Sequence, residues 1–231
     1  ITAHKKQVQA LQDFTAMLAH DLRTPASVIA GFAQLLSTGP YDDEVTSIAR
    51  RIERASSTIV DLLENALTTE SIDSGRLTAR PSAIDVRDII ATAAQAALTA
   101  AQMNEQQLDV DLSGLVPAMA WVDPVHLEQV MTNLIGNARK YGGPKVRVTT
   151  HVTGRRIEIL VEDDGPGVPT RFVPQLFERY SRAQEARTGN QRGSGLGLYI
   201  VRDLLTANDG SIDYEGSTLG GAGFRVSLPA A

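Results

Sequence analysis

The chain has 231 residues, of which 42% are hydrophobic, with a formal net charge of −5 and no cysteine. This length allows one large or two small domains, each with a buried core, and the lack of cysteine excludes disulfides and thiolate metal sites. Scattered lysines and arginines form no basic stripe for nucleic acid, and no apolar run approaches the roughly 20 residues that span a bilayer.

Two long helices are predicted at the start of the chain. Apolar or small residues recur in steps of three and four from Val8 to Leu36, and again from Val45 to Ala66. This heptad spacing predicts helices that pack along each other. The turn at Ser37–Pro40 joins them into an antiparallel hairpin. Two copies of such a hairpin would close a four-helix bundle, so we predict a homodimer. The alternative is a hairpin that packs on the chain's own second domain.

The first predicted helix carries a histidine away from its apolar seam. His20 lies two residues from each of its neighbouring seam leucines, so it projects away from the seam. Asp21 follows it, and Thr24 precedes Pro25, which loosens the next turn. This stretch alone is equally compatible with an ordinary surface histidine on a coiled coil.

The pattern changes after a polar linker. We expect a helical domain over 1–70, a linker over 71–82 with Gly75 and Pro81, and a second domain over 83–231. The second domain should be an α+β sandwich, with helices layered on one face of a mixed sheet. Its predicted helices cover 84–103, 123–141 and 194–207, with a short helical piece near 174–177. Its predicted strands cover 107–112, 118–122, 145–152, 156–161, 211–215 and 223–228.

The helix that starts at Asp123–Pro124 carries the first polar cluster. Asn133 and Asn137 lie four residues apart on one face, with Lys140 and Tyr141 one turn further on. Amide oxygens can hold a hard cation, and a lysine can neutralise phosphate. By itself this cluster is more typical of an ordinary helix surface.

Two glycine-rich stretches follow. Asp163–Gly167 (DDGPG) comes after a predicted strand, and its glycines allow a close backbone approach to a ligand, although Asp-Gly is also a common turn pair. Gly193–Leu198 (GSGLGL) opens a predicted helix and exposes backbone N–H groups to phosphate. It is neither a Walker loop nor a dinucleotide-binding fingerprint.

Taken together and in this order, the motifs resemble the catalytic core of a sensor histidine kinase of a two-component system. The resemblance implies a HisKA-type dimerisation and phosphoacceptor hairpin, then an ATP-binding domain of the GHKL (Bergerat) type. Its motifs are the H box His20–Pro25, the N box Asn133–Tyr141, the first glycine box Asp163–Gly167, the F box Leu176–Ala183, the second glycine box Gly193–Leu198 and a final GxGF-type strand Gly221–Leu228.

The resemblance assigns roles in the H box. His20 would take the γ-phosphoryl group of ATP, and Asp21, where many relatives have Glu, would accept the imidazole proton. Thr24, with Asp21, would orient water against a phosphorylated response regulator and so support phosphatase activity. The phosphoryl group on His20 would pass to an aspartate of that regulator.

The resemblance also assigns the ATP site. Asn137 would coordinate Mg²⁺ with Asn133 nearby, while Lys140 would contact phosphate and Tyr141 would line the pocket. Asp163 would bind the adenine amine. The remaining positions would shape the pocket and a lid over 168–192: Gly165, Gly167, Gly193, Gly195, Leu196 and Gly197, with Arg179 and Arg182 as phosphate contacts.

Some alternatives stay open. ATP-hydrolysing members of the superfamily have Glu where this chain has Asn133, and an amide cannot activate water, so transfer is favoured over hydrolysis. A dimeric pseudokinase that signals by conformation is a second alternative. Asn208–Gly210 replaces the usual His-Gly-Gly, which we expect to be a loop difference. We expect this portion to be cytoplasmic and the back part of a longer protein, with any membrane contact through a missing N-terminal region.

Overall fold

A computed structural model describes residues 22, 24–25, 27–29, 31–32, 43–103, 105–181 and 194–231. The chain divides into two compact units, Ile1–Glu70 and Ser71–Ala231. Four predicted site residues, His20, Asp21, Arg182 and Gly193, lie outside the described residues. In the part of the chain that is described, no helix combines the length and the hydropathy needed to cross a bilayer.

The first unit contains the predicted pair of helices. The described residues between 22 and 32 are helical, and helix α1 runs over Asp43–Asp73. Ile48 and Ala55 of the predicted seam are buried, and the Arg51 guanidinium lies 5.5 Å from the centre of the Phe32 ring. Helix α1 continues past the last predicted seam residue and stops before Gly75, whose φ of 66° is unfavourable for residues with a side chain.

The second unit is built on a mixed sheet, as predicted. Its strands are β1 (Ser82–Asp85), β2 (Asp109–Gly114), β3 (Met119–Val122), β4 (Lys145–Thr153), β5 (Arg156–Asp163), β6 (Ser211–Gly216) and β7 (Ala222–Pro229). Its helices are α2 (Val86–Met103), α3 (Pro124–Tyr141) and α4 (Gly197–Thr206), with a 3₁₀ turn at Val173–Gln175. The main sheet has the order β2-β4-β5-β7-β6 and β1 pairs with β3; β2 and β4 are parallel, and the other neighbours are antiparallel.

The core lies between this sheet and its helices. Alternate residues of β4, β5 and β7 are buried because successive side chains of a strand point to opposite faces. They face a helix layer in which α3 contributes the buried residues Leu127, Val130, Met131, Leu134, Ile135 and Ala138. Asp123 caps α3 by accepting from the backbone N–H groups of Val125 and His126, and proline stands in the first turn, as the sequence predicts.

Two element boundaries near the glycine boxes differ from the prediction. Strand β5 runs two residues beyond Val161. Glu162 pairs with both β4 and β7, and Asp163 pairs with β4. Helix α4 begins at Gly197 rather than at Ser194, since Gly195 has a left-handed φ of 72° that an α-helix cannot include. In the described part of the second glycine box, residues 194–196 therefore form a loop that leads into the helix at Gly197.

Asn208–Gly210 lies in the turn after α4, where a loop difference is expected, and Asn208 also has a structural role there. Asn208 is buried directly after α4. Its Oδ1 accepts from the backbone N–H of Asp123 at 2.8 Å, and its Nδ2 donates to the carbonyl of Leu204 at 2.8 Å. Nδ2 also lies 3.0 Å from Nδ1 of His126. Asn208 is thus a structural residue that ties the end of α4 to the start of α3.

Candidate active site

The end of β5 places a buried carboxylate, Asp163, at the centre of the site. Asp163 is only 5% exposed. Its Oδ1 accepts from the backbone N–H of Gly165 at 2.9 Å and from that of Ala222 at 3.1 Å. Burial raises the pKa of Asp163, and these two hydrogen bonds only partly oppose the effect. Within the described part of the chain, both bonds end on Oδ1, so Oδ2 keeps its capacity to accept from a ligand.

Three glycines allow the backbone to close around Asp163. Gly142 follows α3 and caps it, and a Cβ added there would lie 2.7 Å from Cγ of Asp163. A Cβ at Gly221 would collide with Oδ1 of Asp163, and one at Gly165 would lie 2.5 Å from Cα of Gly142. Real Cβ atoms do not tolerate such contacts, so these positions require glycine.

Helix α3 connects this carboxylate to the second glycine box. Asn133 is partly exposed, and its Nδ2 donates to the carbonyl of Gln129 at 3.0 Å. A Cβ at Gly197 would lie 2.9 Å from Oδ1 of Asn133. Asn137, partly exposed, and Lys140, exposed, follow along the helix towards Gly142. Tyr141 ends the helix and is partly exposed.

The predicted F box contacts the second glycine box. A Cβ at Gly195 would lie 2.9 Å from the carbonyl carbon of Tyr180 and 3.0 Å from the carbonyl oxygen of Ser181. Leu196 is fully buried beside it. Gly167 has a φ of 70°, and a Cβ there would lie 3.4 Å from the carbonyl oxygen of Gly221. The structure therefore brings both glycine boxes, the N box and the F box into one region.

Arg179, predicted to contact phosphate, has other partners in this structure. Its guanidinium forms an ion pair with Asp73 and donates to the hydroxyl of Tyr199 at 2.8 Å. The guanidinium carbon also lies 4.6 Å from the centre of the Tyr199 ring. The phosphate role of Arg179 stays a prediction.

Sequence reasoning missed Gly142, Gly221 and the N–H of Ala222. The only available signal was the two Gly-Gly pairs, at 142–143 and 220–221, each next to a predicted element boundary. Nothing in their spacing indicated that both would meet Asp163, because the meeting depends on sheet pairing.

The residues present fit a magnesium nucleotide. Oδ2 of a buried carboxylate can accept from an exocyclic amine, and close glycine backbones leave room for a flat base. Among the described residues, no group of three His, Asp or Glu side chains could hold a metal ion on its own. Mg²⁺ is commonly bound by few protein ligands together with substrate phosphates, so the Asn137 amide oxygen is a suitable single ligand.

Comparisons with known proteins agree with this geometry. Residues 122–231 match the sequence model of the family "Histidine kinase-, DNA gyrase B-, and HSP90-like ATPase", and residues 10–75 match "His Kinase A (phospho-acceptor) domain". The chain is 32% identical to the signal transduction histidine-protein kinase AfsQ2 of Streptomyces coelicolor over 96% of its length. It is 31% identical to the sensor histidine kinase TrcS of Mycobacterium tuberculosis over 95% of its length.

The chain spans 42% of AfsQ2 and 44% of TrcS, less than half of either relative. Among solved structures, the ATP-binding domain of PrrB from Mycobacterium tuberculosis is similar, with 29% identity and a TM-score of 0.53. That match covers 65% of this chain and 98% of the solved PrrB domain. The histidine kinase AdeS of Acinetobacter baumannii shares the fold, with a TM-score of 0.66 at 22% identity over 91% of this chain and 98% of AdeS.

Proposed function

The chain belongs to the histidine kinases of two-component signal transduction, and on that basis we propose that it phosphorylates itself on His20 with ATP and passes the phosphoryl group to an aspartate of a response regulator. His20 lies within the matched phospho-acceptor segment 10–75. The reaction requires Mg²⁺, held through Asn137.

The observation that carries this proposal is the half-satisfied carboxylate of Asp163. Its Oδ1 is fixed by two backbone N–H groups, and its Oδ2 can accept from the amino group of adenine. Guanine presents a carbonyl oxygen at the same place on the ring, and that oxygen would repel a carboxylate. The site therefore selects ATP, and the N box extends from it along α3 towards the phosphates.

The chemistry assigned to the chain is a phosphoryl transfer. An imidazole nitrogen of His20 attacks the γ-phosphorus, the bond to the bridging oxygen breaks, and ADP leaves. Asp21 accepts the imidazole proton, and Lys140 neutralises phosphate charge. Bound Mg²⁺ supplies further neutralisation of the phosphate oxygens. Asn133 carries an amide and cannot activate water as a base, which favours transfer to His20 over hydrolysis.

The test is incubation with γ-labelled ATP and Mg²⁺, comparing the chain with His20→Gln. Acid-labile, alkali-stable label that disappears in His20→Gln and persists in His151→Gln, an exposed histidine on β4, would support the proposal. Nucleotide binding without label in either the unaltered chain or His20→Gln would favour the pseudokinase. Sustained ADP release without label would favour an ATPase.

We also propose phosphatase activity towards the phosphorylated regulator. Thr24 lies in the first helix, partly exposed, next to the buried Pro25. Asp21 precedes it by three positions in the sequence, a spacing that is suited to joint action of two side chains on one helix. Thr24→Ala should slow dephosphorylation of the regulator at least tenfold and leave labelling of His20 within twofold. Full dephosphorylation by Thr24→Ala would contradict this role.

A homodimer is the assembly that the first unit favours. Leu63 and Leu67 are 48% and 69% exposed on α1, one turn apart. A row of exposed leucines on a helical hairpin is suited to burial against a second copy. Sedimentation should give a dimer for the chain and a larger monomer fraction for Leu67→Gln. We further propose a cytoplasmic location for this portion, where ATP and a receiver domain are available.

A further inference from the structure

A second buried carboxylate, Glu162, lies next to Asp163 and has no part in the proposed chemistry. Glu162 is 4% exposed. Successive residues of a strand point to opposite faces, so its side chain leaves β5 on the face opposite that of Asp163. A buried carboxylate is costly unless it is hydrogen-bonded. Its partners therefore indicate what it does.

Among the described residues, the donors to the Glu162 side chain lie in the turn between β6 and β7. Its Oε1 accepts from the backbone N–H of Thr218 at 2.7 Å, from the hydroxyl of Thr218 at 2.8 Å and from the hydroxyl of Ser217 at 3.4 Å. Hydrogen bonds to an ionised acceptor are roughly twice as strong as neutral ones. The turn is closed by the N–H of Ser217 donating to the carbonyl of Gly221 at 3.0 Å.

The same turn holds Asp163 from the other side. The N–H of Gly221 donates to the backbone carbonyl of Asp163 at 3.1 Å, and the N–H of Ala222 donates to its Oδ1 at 3.1 Å. Any shift of the turn would move the Ala222 donor and the Gly221 backbone that lies against Oδ1. Adjacent carboxylates on β5 thus hold one turn, Glu162 at its tip and Asp163 at its end.

We infer that Glu162 is a positioning residue of the nucleotide site, which fixes the Ser217–Gly221 turn so that Ala222 holds the Asp163 carboxylate in the orientation that recognises adenine. The inference rests on the proposed function. Glu162 touches no nucleotide atom, since it acts from the opposite face of the sheet. It therefore acts on recognition of the base and not on the transfer step.

The test compares Glu162→Ala with Glu158→Ala in the full chain. Glu158 leaves β5 on the same face but pairs with Arg225 at 2.9 Å, away from the turn. Glu162→Ala should raise the KM for ATP in autophosphorylation about tenfold, which corresponds to losing about 1.4 kcal/mol of recognition, with the rate at saturating ATP within twofold. Competition by GTP should change less than twofold. Glu158→Ala should leave all three quantities within twofold.

Two further variants keep the inference falsifiable if Glu162→Ala folds poorly. Thr218→Val removes one hydroxyl donor and keeps the backbone N–H, so it should raise the KM for ATP about threefold. Thr218→Ser keeps both the hydroxyl and the backbone N–H that donate to Glu162, so it should leave the KM for ATP within twofold.

An unchanged KM in both Glu162→Ala and Thr218→Val, a loss in Thr218→Ser as large as that in Thr218→Val, or equal losses for ATP and GTP would overturn the inference. Failure of the unaltered chain to bind ATP would instead overturn the proposed function.

Discussion

Replacing Asp163 with asparagine should stabilise the second unit while removing ATP binding. The amide keeps the shape of the side chain, and its oxygen can accept both backbone hydrogen bonds that Oδ1 now receives. The charge is lost, and the second oxygen becomes an NH₂ group, which donates and cannot accept from adenine. Burial raises the pKa of Asp163 above its usual 3.8, so the folded state binds a proton more tightly than the unfolded state. The ionised carboxylate therefore lowers stability once the pH rises above the ordinary value.

The expected gain at pH 7.5 is about 1 kcal/mol, the usual size of a single stabilising substitution. For a domain of this size, that gain corresponds to a rise of about 2–4 °C in Tm. The gain should shrink as the pH falls through the raised pKa, because the wild-type carboxyl then binds a proton and also becomes neutral.

The assay uses the only tryptophan of the chain, Trp121. It lies in β3 of the second unit, so its fluorescence on heating follows that unit. ATP at about 100 times its Kd should stabilise the unaltered chain by roughly 2.7 kcal/mol and should not change the Tm of Asp163→Asn. Asp213→Asn, an exposed aspartate on β6, is the control and should melt within 1 °C of the unaltered chain. A lower Tm for Asp163→Asn at pH 7.5, or a gain that grows on acidification, would refute the reasoning.

Three further predictions follow from individual contacts. Burial lowers the pKa of His126 despite the nearby Asp123, so the folded state favours the neutral imidazole. Stability is therefore lost as the pH falls from 6.5 through the folded pKa. His126→Gln should reduce the fall in Tm between pH 7.5 and 5.5 by about 2 °C, and His151→Gln should not reduce it. Gly221→Ala should weaken ATP binding at least tenfold by calorimetry, because a Cβ there meets Asp163, whereas Gly216→Ala in the same hairpin meets nothing within 4 Å and should bind normally. Arg179→Ala should lower the Tm by under 3 °C, since its partly exposed ion pair with Asp73 contributes less than about 1 kcal/mol. Adding Asp73→Asn to Arg179→Ala should lower the Tm little further. Fully additive losses of Tm would contradict the pairing.

Local signals explain why some elements could be predicted closely from the sequence. Asp123 and the proline after it specify the start of α3, and Gly142 caps its end. Alternation of β-branched residues specifies β4 and most of β5. The end of β5 was missed because Glu162 and Asp163 are polar, and only their pairing with neighbouring strands extends the strand.

The individual motifs of the site could be predicted, but their contacts could not. The resemblance predicts that Asp163 binds adenine, while the residues that surround Asp163 are distant from it in sequence. Gly142 comes from the end of α3, and Gly221 comes from the hairpin that pairs with β5. Such meetings are fixed by sheet order and register, which local patterns do not specify. For the same reason, Arg179 could be placed in the F box but not beside Asp73 and Tyr199.

The two adjacent carboxylates on β5 show how a proposed binding group can be distinguished from a structural one. Both are buried, and both would be costly without hydrogen bonds. Three donors from one turn converge on Oε1 of Glu162, whose side chain leaves β5 on the face opposite that of Asp163, so Glu162 is assigned a structural role. Asp163 receives two backbone donors on Oδ1, and among the described residues none is recorded as donating to its other oxygen, which the proposed nucleotide would supply with a donor. The cost of leaving that acceptor unmatched disappears on binding, so the same burial that destabilises the empty domain favours an amino group over a carbonyl at this position.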